Sequence, residues 1–119
     1  MKRKFRLTQT NDFKRVRRTG KTYAHPLAVM TVAKGLEETP RIGIITTRVL
    51  GNAVRRHRVK RQLRAILPEL LPTLDQPVDL VLIAREPAVR ATFQEIASAV
   101  QELLGKAGLF GRNTHGTGR

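Results

Sequence analysis

Residues 51 to 67 read Gly51-Asn52-Ala53-Val54-Arg55-Arg56-His57-Arg58-Val59-Lys60-Arg61-Gln62-Leu63-Arg64-Ala65-Ile66-Leu67, and this stretch organises the rest of the chain. At 100° per residue, Val59, Leu63, Ile66 and Leu67 fall on one side of a helix. Arg58, Arg61 and Arg64 recur every third residue on the other side, with His57 close to that row. The spacing predicts an amphipathic helix with a buried apolar stripe and an exposed arginine ridge. Gly51-Asn52 supplies a turn and an N-cap before it, and Pro68 marks its expected end.

Six of the ten residues from Arg55 to Arg64 are Arg or Lys, and no acid stands between Glu38 and Glu69. An ordinary solvated helix mixes Glu with Lys in i,i+4 pairs. Cations this close repel one another, so a polyanionic partner is the natural reason to keep them. Arginine outnumbers lysine here, and its planar fork grips phosphate in a bidentate way and stacks on bases. The whole chain carries 23 Lys and Arg against 9 Asp and Glu, a formal net charge of +14 over 119 residues. That excess is the electrostatic footprint of a nucleic-acid binder. A membrane is the rival partner, but there is no long apolar run, no Trp and only one Tyr to anchor in it. The absence of Cys excludes disulfides and thiolate chemistry. The basic start at Met1 is followed by no apolar segment of the kind a secretory signal needs, so a cytoplasmic protein is expected.

The length suggests one compact domain, over about residues 1 to 110, with the glycine-rich stretch from Gly111 to Arg119 as a disordered tail. Residues 1 to 7 form a basic arm carrying Phe5 and Leu7. Thr8-Gln9-Thr10-Asn11-Asp12 offers N-caps for a first helix over about 9 to 18, closed by Gly20. Tyr23 to Ala33 reads as one long strand, with His25-Pro26 as an edge or bulge near its start. Arg41 to Thr47 reads as another strand, in which Gly43 allows a close approach. Val78 to Ala84 is an apolar run of buried-strand length. Thr92 and Glu95 make a capping box for a last helix running to about Lys106, with Phe93, Ile96, Val100, Leu103 and Leu104 as its apolar face. Helix, strands, helix, strand, helix is an α/β order in two layers, and pattern alone does not give the strand pairing.

Little in the chain suggests that it does chemistry itself. Its acids are scattered, without the cluster that a two-metal nuclease needs. Asp75 and Asp79 are close in sequence but straddle a loop-to-strand junction with no nearby His. His25, His57 and His115 lack metal-ligand spacing, and nothing local pairs two of them as general acid and base.

The run from Arg48 to Arg64 resembles the signature of the bacterial ribonuclease P protein subunit. The match covers Gly51, Asn52, Ala53, Val54, Arg56, Arg58, Lys60, Arg61 and Arg64, and the likeness extends over about residues 4 to 110. It departs at His57, where the family usually has Asn; a neutral imidazole is expected to replace the amide as a hydrogen-bonding group. The resemblance implies one mixed sheet of about four strands with three helices, in the order α-β-β-β-α-β-α. It also implies a ribosomal protein S5 domain 2-like fold with a left-handed βαβ crossover, the opposite of the usual hand.

The resemblance further implies a ribonucleoprotein endonuclease that removes the 5′ leader from precursor tRNA. Its catalytic site and Mg²⁺ belong to the RNA subunit, which pairs with the protein one to one, and the protein alone holds no cofactor and takes no small-molecule substrate. By the same resemblance, Arg48, Asn52, Arg56, His57, Arg58, Lys60, Arg61 and Arg64 contact that RNA. Neutralising its phosphates would lower the Mg²⁺ requirement. Arg56 points by its helical phase toward the apolar stripe and would reach out through its stem. The leader is expected in a cleft between the first helix and the sheet, against Phe13, Lys14, Val16, Arg17 and Met30. Phe13 fits core packing equally well, and Phe5 and Phe93 fit it better. The alternative is a ribosomal or RNA-chaperone module of the same fold. A major-groove DNA reader is less apt, since the arginine ridge has no Asn or Gln pair for adenine.

Overall fold

The computed structural model describes residues 1 to 110, so the tail expected at 111 to 119 lies outside the described residues. The elements run α1 (Thr10–Thr19), β1 (Lys21–His25), β2 (Ala28–Lys34), β3 (Arg41–Ile45), α2 (Ala53–Leu70), β4 (Val78–Ala84) and α3 (Phe93–Lys106). The four strands form one mixed sheet in the order β1-β2-β4-β3. β1 pairs antiparallel with β2, and β2 with β4. β3 and β4 are parallel neighbours, so α2 is the crossover that joins them. The expected α-β-β-β-α-β-α order and mixed sheet are what the molecule has.

One expected element divides in two. The stretch from Tyr23 to Ala33 is a hairpin rather than a long strand, turning at Pro26-Leu27, with Tyr23 opposite Met30 and His25 opposite Ala28. Proline has no amide to give a ladder and its ring fixes φ, so the chain reverses there. The His25 imidazole steadies the reversal, its Nδ1 accepting from the Leu27 amide at 3.0 Å. A second boundary moves the other way. α2 does not stop at Pro68 but passes through it to Leu70. Pro68 cannot donate to the Arg64 carbonyl, yet Arg64 lies on the exposed side, where water can bond that oxygen. Leu67 and Leu71 are fully buried and hold the last turn to the core.

The two faces of the sheet carry two cores. Met30, Ile42, Leu80 and Leu82 face α2 and α3, where they meet Val59, Leu63, Leu67, Val100 and Leu103. This is the larger core, and Phe5 of the N-terminal arm joins it. The opposite face carries a smaller cluster of Leu7, Val16, Ala33 and Val81, with Phe13, Ile45 and Ile83 against it. α1 lies on that smaller core. Its Phe13 ring packs on Gly43, in the space a Cβ there would fill, which realises the close approach expected of that glycine. α3 opens with the full capping box, Glu95 amide to Thr92 Oγ1 at 3.1 Å and Thr92 amide to Glu95 Oε1 at 2.9 Å. Phe93 departs from expectation: it is 46% exposed, because it sits at the first position of α3, ahead of the buried row that starts at Ile96.

Candidate nucleic-acid interface

The sequence before α2 sets where its arginines stand. A 3₁₀ turn over Arg48–Leu50 is capped by Thr47, whose hydroxyl accepts from the Val49 amide at 3.4 Å. Leu50 anchors this turn in the core. Gly51 then takes φ of 107°, a conformation that side chains resist, and a Cβ there would also crowd the Arg55 side chain. Asn52 caps the helix, its Oδ1 accepting from the Arg55 amide at 3.1 Å. The cap occupies its oxygen and leaves the NH₂ group for a partner.

From that start the helical phase follows the pattern. Val59, Leu63, Ile66 and Leu67 are the buried residues of α2. Arg55, His57, Arg58, Arg61 and Arg64 are exposed, as are Arg48 and Asn52 just before them. Lys60 and Arg56 are half-buried. Arg56 has its Nε buried without a hydrogen-bond partner, so its stem lies along the protein as its phase implies. Arg58 is partly committed, one Nη donating to the Val89 carbonyl at 2.8 Å. That bond fixes the root of its guanidinium and leaves other donors facing out. His57, Lys60, Arg61 and Arg64 together line a groove of about 270 Å³. Among the described residues, no carboxylate forms an ion pair with any cation from Arg48 to Arg64. Such a groove offers a phosphate backbone unsatisfied positive charge in a fixed array.

The residues assigned to the leader cleft divide. Lys14 and Arg17 are exposed on α1, and Phe13 is half-buried over Gly43. Val16 and Met30 have no exposed surface and are not contact residues. Val16 is the point at which α1 inserts into the smaller core. Met30 lies on the wrong side of the sheet, paired with Leu82 and facing α2 and α3. The side chains that β2 turns toward α1 are its neighbours Val29 and Thr31, in register with Ile83 and Val81. Val29, Ile45 and Ile83 are half-buried, so this face keeps apolar surface beside the α1 cations. Sequence reasoning missed it because β2 is buried on both sides and shows little alternation.

A second feature was invisible in the sequence. Asp79 is fully buried in β4 beneath α1. Arg41 holds it with a two-pronged grip, Nε to Oδ1 at 3.1 Å and Nη2 to Oδ2 at 3.0 Å. Arg15 reaches the same carboxylate from α1, and also bonds Asp12 at 3.1 Å. Bonding to Asp79 holds both guanidinium groups protonated even more firmly than usual, against the opposing effect of burial. These two acids come together, but as counter-ions. With both carboxylates taken up by arginine, they do not suit a metal ion. Among the described residues, no three His, Asp or Glu side chains converge into a metal site. No helix among them is long and apolar enough to cross a membrane.

A family model described as Ribonuclease P matches residues 1 to 108. The chain is similar to the ribonuclease P protein component of Chloroflexus aurantiacus, at 36% identity over 98% of this chain and 87% of that protein. It is 37% identical to the component from Herpetosiphon aurantiacus, over 92% of this chain and 89% of that one. Among solved structures, the Staphylococcus aureus RNase P protein superposes with a TM-score of 0.82 at 28% identity, covering 90% of this chain and 98% of that one. The Thermotoga maritima RNase P protein gives 0.76 at 27% identity, covering 85% and 96%.

Proposed function

The chain belongs to the ribonuclease P protein family, and on that premise we propose that it serves its enzyme through two RNA-facing surfaces rather than through chemistry of its own. It is the protein subunit of the ribonucleoprotein endonuclease that removes the 5′ leader from precursor tRNA, and it works in complex with an RNA partner. The active site and its Mg²⁺ reside in the RNA subunit, which one copy of the protein joins in the cytoplasm. The carboxylates of Asp12 and Asp79 are spent on arginines rather than left for Mg²⁺.

The first surface is α2 with the turn before it, and it faces the catalytic RNA. The observation that carries this is the row of cations from Arg48 to Arg64, none of them in an ion pair among the described residues, beside a groove. Neutralising crowded phosphates there lowers the Mg²⁺ the RNA needs to fold and act. If six cations meet phosphates, log K falls with log salt at a slope of roughly −4 to −5. The second surface is the α1 face of the sheet, and it takes the leader. Phe13 offers a flat ring, Arg17 a guanidinium plane and Lys14 a point charge, beside the apolar Val29, Ile45 and Ile83. Stacking surfaces beside cations suit a single strand of variable sequence. Aromatic content on this face is low, so the grip on the leader is more electrostatic than stacked.

Affinity of the reconstituted holoenzyme for precursor tRNA with and without a leader tests the division. Arg17→Ala is expected to weaken binding of the leader-bearing substrate only, and Arg61→Ala to weaken assembly with the RNA subunit. Loss of assembly in both variants, with no leader dependence in either, would refute the two-surface reading.

A further inference from the structure

Lys60 and Arg64 stand one turn apart on α2 and line two adjoining hollows. One is the groove shared with His57 and Arg61. The other, about 240 Å³, lies over the outer edge of β3, where Arg6, Thr8 and Phe13 complete the wall and Gly43 forms part of the floor. β3 ends the sheet, and the N-terminal arm is strapped along its edge: the Leu7 amide donates to the Ile42 carbonyl at 2.9 Å, and Arg6 bridges to Ile42. The strap anchors Phe5 in the larger core and Leu7 in the smaller one, which leaves the exposed Arg6 between them at a fixed place.

Among the described residues, none of Arg6, Lys60 and Arg64 is in an ion pair. Three like charges around one hollow repel each other and give the isolated protein nothing in return. Their setting has the parts that one unstacked nucleotide requires: cations for its phosphates, a hydroxyl, and a ring with apolar floor for its base. We propose that this hollow receives an unpaired nucleotide of the RNA subunit, and that Arg6 of the N-terminal arm extends the α2 interface to it. The choice of RNA rests on the reading of α2 given above. Lys60 and Arg64 belong to both hollows, so a strand lying in the groove continues over them to the β3 edge. The leader face opens from the same Phe13 ring toward Ile45 and Ile83 instead.

The test uses Arg6→Ala and Arg64→Ala in the full chain, reconstituted with the RNA subunit. Three readouts are needed: affinity for the RNA subunit across a salt series, affinity of the holoenzyme for substrates with and without a leader, and base-specific chemical probing of the RNA. Arg6→Ala is expected to weaken RNA-subunit binding several-fold and to make the log K against log salt slope shallower by about one. Leader dependence is expected to stay as in the wild type, and one unpaired base shielded by the wild-type protein is expected to become reactive. Unchanged affinity and slope for Arg6→Ala, with Arg64→Ala still weakening the complex, overturns the hollow and leaves the α2 reading standing. No effect from either variant removes both. A loss confined to leader-bearing substrates gives the hollow to the leader and overturns the assignment to the RNA subunit.

Discussion

Arginine is used in two opposite ways on the two sides of this sheet. Under α1, Arg15 and Arg41 close on Asp79, with Asp12 beside them, and every charge has a counter-charge. Along α2, Arg55, Arg61 and Arg64 are exposed and, among the described residues, form no ion pair. The residue type is the same; what differs is whether the fold supplies the anion. Where it does, arginine is part of the structure, tying a helix to a strand. Where it does not, the charge is held ready for an anion from outside. Composition counts both kinds alike, and only the pairing separates them.

The largest effect should come from breaking the paired side. Asp79→Ala leaves two buried-edge guanidinium groups facing each other, and is expected to cost about 3–5 kcal/mol in denaturant unfolding. Arg61→Ala with Arg64→Ala removes two unpaired charges instead. Stability should then stay within about 0.5 kcal/mol, while the salt slope for RNA binding becomes shallower by roughly two. A double variant that unfolds the protein but leaves the slope intact would erase the contrast. Asn52→Ala sharpens the contrast from between. Losing the cap is expected to cost about 1 kcal/mol of stability, and RNA affinity should fall too as the first turn of α2 frays around Arg55 and Arg56. The smallest effect concerns a pair at the surface. Arg90 bonds Glu86 and holds its carboxyl below the usual range. Its stabilising contribution is therefore present above the unfolded pKa of about 4.5 and lost as pH falls through the lower folded value. Glu86→Gln should flatten only that small acid-side dependence in thermal melts, with neutral-pH stability almost unchanged.

Much of α2 was legible because its two faces differ so sharply in kind. Val59, Leu63, Ile66 and Leu67 against Arg58, Arg61 and Arg64 leave one helical phase, and Asn52 and Thr92 announce their caps by local chemistry. Pro68 misled as a stop signal, although Leu63, Leu67 and Leu71 continue at i,i+4 through it. The hairpin at Pro26-Leu27 was hidden because it lacks the Asn-Gly or Asp-Gly pair that marks a tight turn. On β2 nearly every side chain is at least half-buried, so nothing in the sequence tells which alternate set faces α1. The resemblance alone puts Met30 on the leader side, and its pairing with Tyr23 and Leu82 in the larger core puts it on the other. The Asp79 cluster was illegible in principle: Asp12, Arg15, Arg41 and Asp79 span three elements and meet only in the folded sheet.

On the function proposed above, the unpaired arginines hold RNA while the RNA does the chemistry. Cleavage of 5′-labelled precursor tRNA at low Mg²⁺ and moderate salt tests it most directly, with the protein alone, a bacterial ribonuclease P RNA alone, and the two mixed. No cleavage is expected from the protein alone, slow or absent cleavage from the RNA alone, and rapid cleavage at the mature 5′ end from the mixture. Cleavage by the protein alone, or a mixture no faster than the RNA despite tight binding, would contradict that function.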